Sequence, residues 1–272
     1  MSLAGAGPLA LVGAGKMGSA LLEGWLACGL EGRQVQVFDP NPPTESRDLI
    51  ARAGVALNPA PGSGPAARVV VLAVKPQVMD AVLADLAFMA RPGTLFISIA
   101  AGRTIAGLRA ALGGQAPVVR AMPNTPAAIG RGMSVAVAGD GVTSEHKALA
   151  TALLEAVGEV GWVDDEGLMD AVTALSGSGP AYVFYLAECL AEAGVRAGLP
   201  RELAERAARV TVAGAGELLH RSSLPAATLR ENVTSPGGTT AAALEVLRAP
   251  GGLGEVMARA VAAAARRSRE LS

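Results

Sequence analysis

Aromatic side chains are scarce in this chain: two Trp, two Tyr and four Phe among 272 residues. Platforms that stack nucleic-acid bases need more than that. With 23 basic and 24 acidic side chains, no net field draws the chain to nucleic acid or to an anionic membrane. Cysteine is almost absent; Cys28 and Cys189 each lie in an apolar helical pattern and are expected as buried thiols. Histidine is limited to His146 and His220, and no His/Cys/Asp cluster has metal-ligand spacing, so no metal is expected. The longest stretch without charge, Ala171–Ala187, is interrupted by GSGP, and no basic n-region precedes the first glycine motif. Neither a membrane span nor a signal peptide is expected, and the chain reads as cytoplasmic.

What is present is an alternation of strand and helix patterns, then helix alone. Strands are expected at Leu9–Val12, Gln34–Phe38, Arg68–Val74, Thr94–Ile99 and Val118–Ala121, with edge strands at Met133–Val137 and Val160–Val163. The continuous apolar run RVVVLAV suits a central parallel strand buried on both faces. Helices are expected at Met17–Gly29, Glu45–Ala53, 76–90, Ile105–Leu112 and Glu145–Val157. The pattern predicts a doubly wound, Rossmann-like α/β domain over 1–163. From 164 to 272 only helices are expected, beginning with Asp164–Leu175 and punctuated by Pro200, Pro225 and Pro236. They are too rich in Ala for a thick core, which points to close helix packing or subunit contact.

GAGKMG, residues 13–18, follows the first strand and opens the first helix, the context in which a G-x-G-x-x-G pattern gains meaning. Gly13 permits the tight turn, Gly15 lets the backbone approach a pyrophosphate, and Gly18 lets helix and strand pack closely. Asp39 ends the second strand about 20 residues further on, where a carboxylate accepts from a ribose 2′-OH; as the start of DPNPP it can equally cap a turn. No Arg occupies 40–43, so a 2′-phosphate has only Arg47 to reach from the next helix. Lys75, in AVKP, is either a ligand contact or a solvated strand-end lysine, and Asn124, in PNTP, stands where a nicotinamide carboxamide could lie.

A hydroxy-acid dehydrogenase needs a base for the hydroxyl proton. His146 begins one helix and His220 ends another, and neither adjoins a strand end. Residues 176–197 also contain no lysine, which argues against a β-hydroxyacid dehydrogenase. An imine substrate removes the need for a strong base, because its nitrogen can arrive protonated. SPGGTT, residues 235–240, supplies what an imine acid requires: N–H groups of Gly238, Thr239 and Thr240 at a helix N-terminus for a carboxylate, and a Thr hydroxyl for the ring nitrogen. A non-enzymatic dinucleotide sensor would have no use for that second site.

The blocks VGAGKMGSA, LAVKP, SIAAG, RAMPNTPA, LSGSGPAY, AGLPRELA and ENVTSPGGTT occur in order along nearly the whole length. In them the chain resembles the pyrroline-5-carboxylate reductases. The resemblance implies reduction of Δ1-pyrroline-5-carboxylate to L-proline with NADPH or NADH, by a cofactor-binding Rossmann domain and a helical domain that forms an intertwined dimer, with dimers assembling into a decamer. It implies that Thr239 and Thr240 hold the substrate, Thr240 as donor to nitrogen, with Ser235, Gly238, Glu166 and Thr173 beside it. For the cofactor it implies Lys16 and Met17 within the glycine motif, Asn58, Ala73, Val74, Lys75 and Pro76, Ala100 and Ala101 beneath the nicotinamide, and Asn232. The chain departs from the family at Asp39, where many members carry Asn, Ser or Thr.

Overall fold

The structure is a computed structural model in which residues 2–271 are described. Eight strands form one sheet: β1 (Leu9–Val12), β2 (Val35–Phe38), β3 (Ala56–Leu57), β4 (Val69–Leu72), β5 (Leu95–Ser98), β6 (Val118–Met122), β7 (Gly132–Ala138) and β8 (Gly158–Val163). Their order is β3-β2-β1-β4-β5-β6-β7-β8. The pairings from β3 to β6 are parallel, β6 and β7 pair antiparallel, and β8 is parallel to β7. This is the doubly wound order, with its reversal between β1 and β4.

Strand periodicity builds two cores. Leu9 and Leu11 of β1, Val69 and Val71 of β4, and Leu95 and Ile97 of β5 face one side. Ala10 and Val12, Val70 and Leu72, and Phe96 face the other. Successive side chains point to opposite faces, so strands apolar at every position are needed when helices cover both. Helices α1 (Lys16–Ala27) and α5 (Ser144–Glu155) contribute Leu21, Leu22, Trp25, Leu153 and Leu154 to the first core. The indole of Trp25 donates to the Leu153 carbonyl at 2.8 Å. Helix α2 (Thr44–Arg52) adds Ile50 to that core, whereas α3 (Met79–Asp85) and α4 (Ile105–Ala111) serve the second.

Four expectations need correction. β7 is not an edge strand: β6 and β8 flank it, and β8 alone is at that edge. The turn from Thr125 to Ile129 ends at Gly130, whose φ of 66° reverses the chain and lets β7 run antiparallel beside β6. The helix expected over 76–90 is a 3₁₀ turn, then α3, then a second 3₁₀ turn at 87–89. Met79, Leu83, Leu86 and Met89 are all buried; tightening after Leu86 brings Met89 to the core face, where a continuing α-helix would bring Ala90. Asp164–Leu175 is likewise composite: a 3₁₀ turn at Glu166–Leu168, the short α6 (Met169–Val172), and a π-helical turn at Thr173–Gly177. The Thr173 hydroxyl donates to the Met169 carbonyl at 2.8 Å, in competition with the regular ladder. Finally, Cys28 is half-buried and Cys189 exposed, on a helix whose Phe184, Tyr185, Leu186 and Leu190 are exposed as well.

The remaining helices are α7 (Gly179–Arg196), α8 (Arg201–Arg221), α9 (Ala226–Asn232), α10 (Thr239–Arg248) and α11 (Leu253–Glu270). The chain forms two compact units: the first runs to Gly177 and takes in the chain from Ala265 onward, and the second is Ser178–Ala264. Strands end at Val163, so the first unit continues past them through α6 and the π turn. In the second unit α7 and α8 form a hairpin. Gly198 turns the chain with φ of 98°, and the Leu199 N–H returns to the Gly194 carbonyl at 3.0 Å to close the helix end.

Candidate active site

Where the strand order reverses, an open α/β sheet leaves a crevice beyond its carboxyl ends. Three glycines after β1 shape it in different ways. Gly13 has φ of 94°, and a Cβ there would meet the Ala73 carbonyl oxygen at 2.8 Å. A Cβ on Gly18 would lie 2.1 Å from the Gly13 oxygen, so α1 packs directly on the loop. Around Gly15 nothing lies within 4 Å of that position, which leaves open space at the helix N-terminus. α1 has no side-chain cap and no acidic residue in its first turn, so its leading N–H groups can receive an anion. A dinucleotide pyrophosphate fits this cradle. Lys16 is exposed beside it.

The loop is braced from the second strand. The Gly13 N–H donates to the Phe38 carbonyl at 2.8 Å. Ser19 and the buried Ser46 both donate to the Ala14 carbonyl, at 2.8 and 2.9 Å. Asp39 Oδ2 accepts from the Ala14 N–H at 2.7 Å and Oδ1 from the Asn41 N–H at 2.9 Å. Asn58, at φ of 48°, holds both main-chain groups of Asp39: its Oδ1 accepts from the Asp39 N–H at 2.9 Å and its Nδ2 donates to the Asp39 carbonyl at 2.7 Å. The amide of Asn58 is therefore engaged in aiming Asp39.

Beside the crevice lies a cleft of about 240 Å³. Met17, Ala73, Val74 and Asn124, all expected from the sequence, line it together. Ile99, Met122, Pro123, Thr125 and Gly177 line it as well and had not been singled out as ligand contacts; their sequence signals were the blocks SIAAG, RAMPNTPA and LSGSGPAY in which they stand. Asn124 is fixed on both sides. Its Oδ1 accepts from the Met133 N–H at 2.9 Å, and its Nδ2 reaches the carbonyl and hydroxyl of Ser176 at 3.2 Å. Ala100 is buried at the end of β5, Ala101 half-buried, and Lys75 exposed ahead of a turn that Pro76 opens.

On the second unit the SPGGTT stretch folds as a turn and a bare helix start. Pro236 and Gly237, the latter at φ of 69°, form the corners of a turn closed by the Gly238 N–H on the Ser235 carbonyl at 3.0 Å. α10 follows with Gly238 as an N-cap that makes no side-chain hydrogen bond and with no acid in its first turn. Its first N–H groups, and the Thr239 and Thr240 hydroxyls, keep their hydrogen-bonding capacity for a ligand. Asn232 is exposed at the end of α9.

The comparisons bear on both units. A family model described as pyrroline-5-carboxylate reductase dimerisation matches residues 166–271, and one described as NADP oxidoreductase, coenzyme F420-dependent, matches residues 8–102. The pyrroline-5-carboxylate reductase of Pseudomonas aeruginosa is 43% identical over 267 residues, covering 97% of this chain and 96% of that protein. This chain belongs to the pyrroline-5-carboxylate reductase family.

Solved structures agree with that membership. A pyrroline-5-carboxylate reductase from Coxiella burnetii superposes with a TM-score of 0.90 at 36% identity, covering 98% of this chain and 99% of that one. The Plasmodium falciparum pyrroline carboxylate reductase, with NADP bound, gives 0.79 at 30% identity, over 97% of each chain.

Two residues that the family resemblance placed near substrate have other engagements here. Glu166 Oε1 accepts from Arg120 at 2.9 Å and from the Ile105 N–H, the first of α4, also at 2.9 Å. Arg120 is 5% exposed on β6, so Glu166 neutralises a buried guanidinium. Thr173 donates its hydroxyl within the π turn. His146 is accounted for as well: its Nδ1 accepts from the Thr143 N–H in the capping box of α5.

Proposed function

We propose that this family member reduces the C=N bond of Δ1-pyrroline-5-carboxylate to give L-proline, the last step of proline biosynthesis. NADPH or NADH, when bound, supplies the hydride. The observation that carries the reading is the turn-and-helix start at Ser235–Thr240, a bare anion site with two unengaged hydroxyls, in a chain whose other unit carries the glycine crevice.

The roles follow from the groups available. Gly13, Gly15 and Gly18 with Lys16 hold the pyrophosphate, and Asp39 with Asn58 defines the adenosine end. Met17, Ala73, Val74, Lys75, Pro76, Ala100, Ala101 and Asn124 position the nicotinamide half, with Asn232 as a further contact. The N–H groups of Thr239 and Thr240 at the start of α10 hold the substrate carboxylate, with Ser235 beside them; the Gly238 N–H, expected from the sequence to join them, instead closes the turn on the Ser235 carbonyl at 3.0 Å. Thr240 donates a hydrogen bond to the ring nitrogen, so that charge develops against a fixed dipole as carbon accepts hydride. Within the first unit Glu166 pairs with Arg120, and Thr173 donates to the Met169 carbonyl.

The chain assembles through its helical region. In the second unit Phe184, Tyr185, Val210, Leu218 and Val246 are each more than 60% exposed in the single chain, more apolar surface than a solitary domain carries. We assign 1–163 to cofactor binding and 164–272 to substrate and dimer contacts, with dimers building a decamer. No helix among the described residues is long and apolar enough to cross a membrane; we place the enzyme in the cytoplasm.

Initial rates with pyrroline-5-carboxylate, measured with NADH and NADPH in parallel, test the reading. Turnover inhibited by L-proline is expected. A folded protein that turns over with neither cofactor would refute it.

A further inference from the structure

We infer that this chain selects NADH over NADPH, and that Asp39 makes the choice. The inference rests on the dinucleotide reading of the crevice and deepens it. A 2′-phosphate needs donors and a cation where the second strand ends; this chain offers a fixed carboxylate. Asp39 is held at both oxygens, by the Ala14 and Asn41 N–H groups, and its main chain is held by the Asn58 amide. It therefore cannot turn away from a ligand without breaking the brace of the glycine loop.

The segment that follows has little to give a phosphate. Pro40, Pro42 and Pro43 have no N–H, and the one N–H among them, that of Asn41, already donates to Asp39. The first turn of α2 carries Glu45, a second negative charge against an incoming phosphate. Among the described residues Asp39 has no ion-pair partner to offset its own charge. A ribose 2′-OH, by contrast, is a donor that a carboxylate accepts directly. Arg47 on α2 is the cation a 2′-phosphate would have to recruit.

Equilibrium titration of the full-length protein with NADH and with NADPH, followed by nicotinamide fluorescence and by calorimetry, reads the choice without turnover. NADH is expected to bind at least about tenfold tighter. Asp39→Ser should narrow the ratio about tenfold or reverse it; Asp39→Asn, which keeps an acceptor for the Ala14 N–H, should do the same and guards against a folding defect. Arg47→Ala should leave the ratio within about twofold. NADPH binding as tightly as NADH, a ratio unmoved in both Asp39 variants, or a collapse of NADPH affinity in Arg47→Ala would each overturn the inference alone. Binding of neither dinucleotide to the unaltered protein would overturn it together with the reading beneath it.

Discussion

The two compact units contain similar residues and reach opposite outcomes. In the first, Trp25, Phe96, Leu72, Leu83 and Ile97 are fully buried and the sheet is covered on both faces. In the second, the buried apolar residues are three alanines, Ala191, Ala204 and Ala208, while Phe184 and Tyr185 stand 63% and 66% exposed. A sheet with helices on both sides encloses its own apolar rows. A helical hairpin that meets through small residues, as Gly194 meets Ala204 so closely that an added Cβ would lie 3.2 Å from the Ala204 methyl, leaves its large side chains outside. The second unit lies within the region that matches the dimerisation family, and its exposed apolar side chains are the kind of surface that a second copy covers.

The largest expected effect tests the self-sufficient half. Trp25→Ala removes a fully buried indole and the donor to the Leu153 carbonyl, and should cost about 3–5 kcal/mol in urea unfolding at any protein concentration. A loss below about 1 kcal/mol would mean the first core is not what holds that unit. Next is Arg120, the one buried charge among the described residues of that half. Arg120→Met strands Glu166, and since that carboxylate is 30% exposed the loss should be about 2–3 kcal/mol, recovered in good part by adding Glu166→Gln. A double variant as unstable as the single one would show that the pair is not the cause.

Thr240→Ala asks whether the halves divide the chemistry. Turnover should fall about 100-fold while dinucleotide affinity stays within about twofold; unchanged turnover removes Thr240 from the mechanism. Phe184→Asp addresses the incomplete half and should weaken self-association at least about tenfold in sedimentation velocity. The unaltered protein should melt at a temperature that rises with its concentration; a concentration-independent monomer would end the comparison. The smallest effect concerns the α7–α8 hairpin. The hydrogen bond from Arg201, then its charge, lowers the Glu192 pKa from the ordinary 4.5. A lowered carboxylate contributes stability above the unfolded value and loses it as pH falls through the folded one. Glu192→Gln should thus reduce the melting temperature slightly at neutral pH and not at all in acid well below 4.5.

Much of the site was legible because its geometry is local. Gly13 is needed for its own φ of 94°, Gly18 for its close approach to the Gly13 oxygen, and Pro236 followed by Gly237 is the signature of the turn that forms there. Asp39 was legible as a residue at the end of β2, but not as a carboxylate held from Ala14 and Asn41. Arg120 was invisible as a partner of Glu166, which is 46 positions away. The 76–90 segment read as one helix because an apolar period cannot distinguish a turn of 3.6 residues from a tightened one when Met89 and Ala90 are adjacent candidates.

Sequence alone determined what one strand or one turn decides: the two-sided strands, the glycine loop, the helix start after SPGG. These follow from backbone sterics and from a period of two residues, which act over short spans of chain. Tertiary structure alone decided which distant groups became partners: Asn58 on the backbone of Asp39, Ser176 and Met133 on Asn124, Glu166 on Arg120. Asn124 and Arg120 had to be satisfied once buried or half-buried, and many residues in the chain carry a suitable donor or acceptor. Only the path of the folded chain chooses among them.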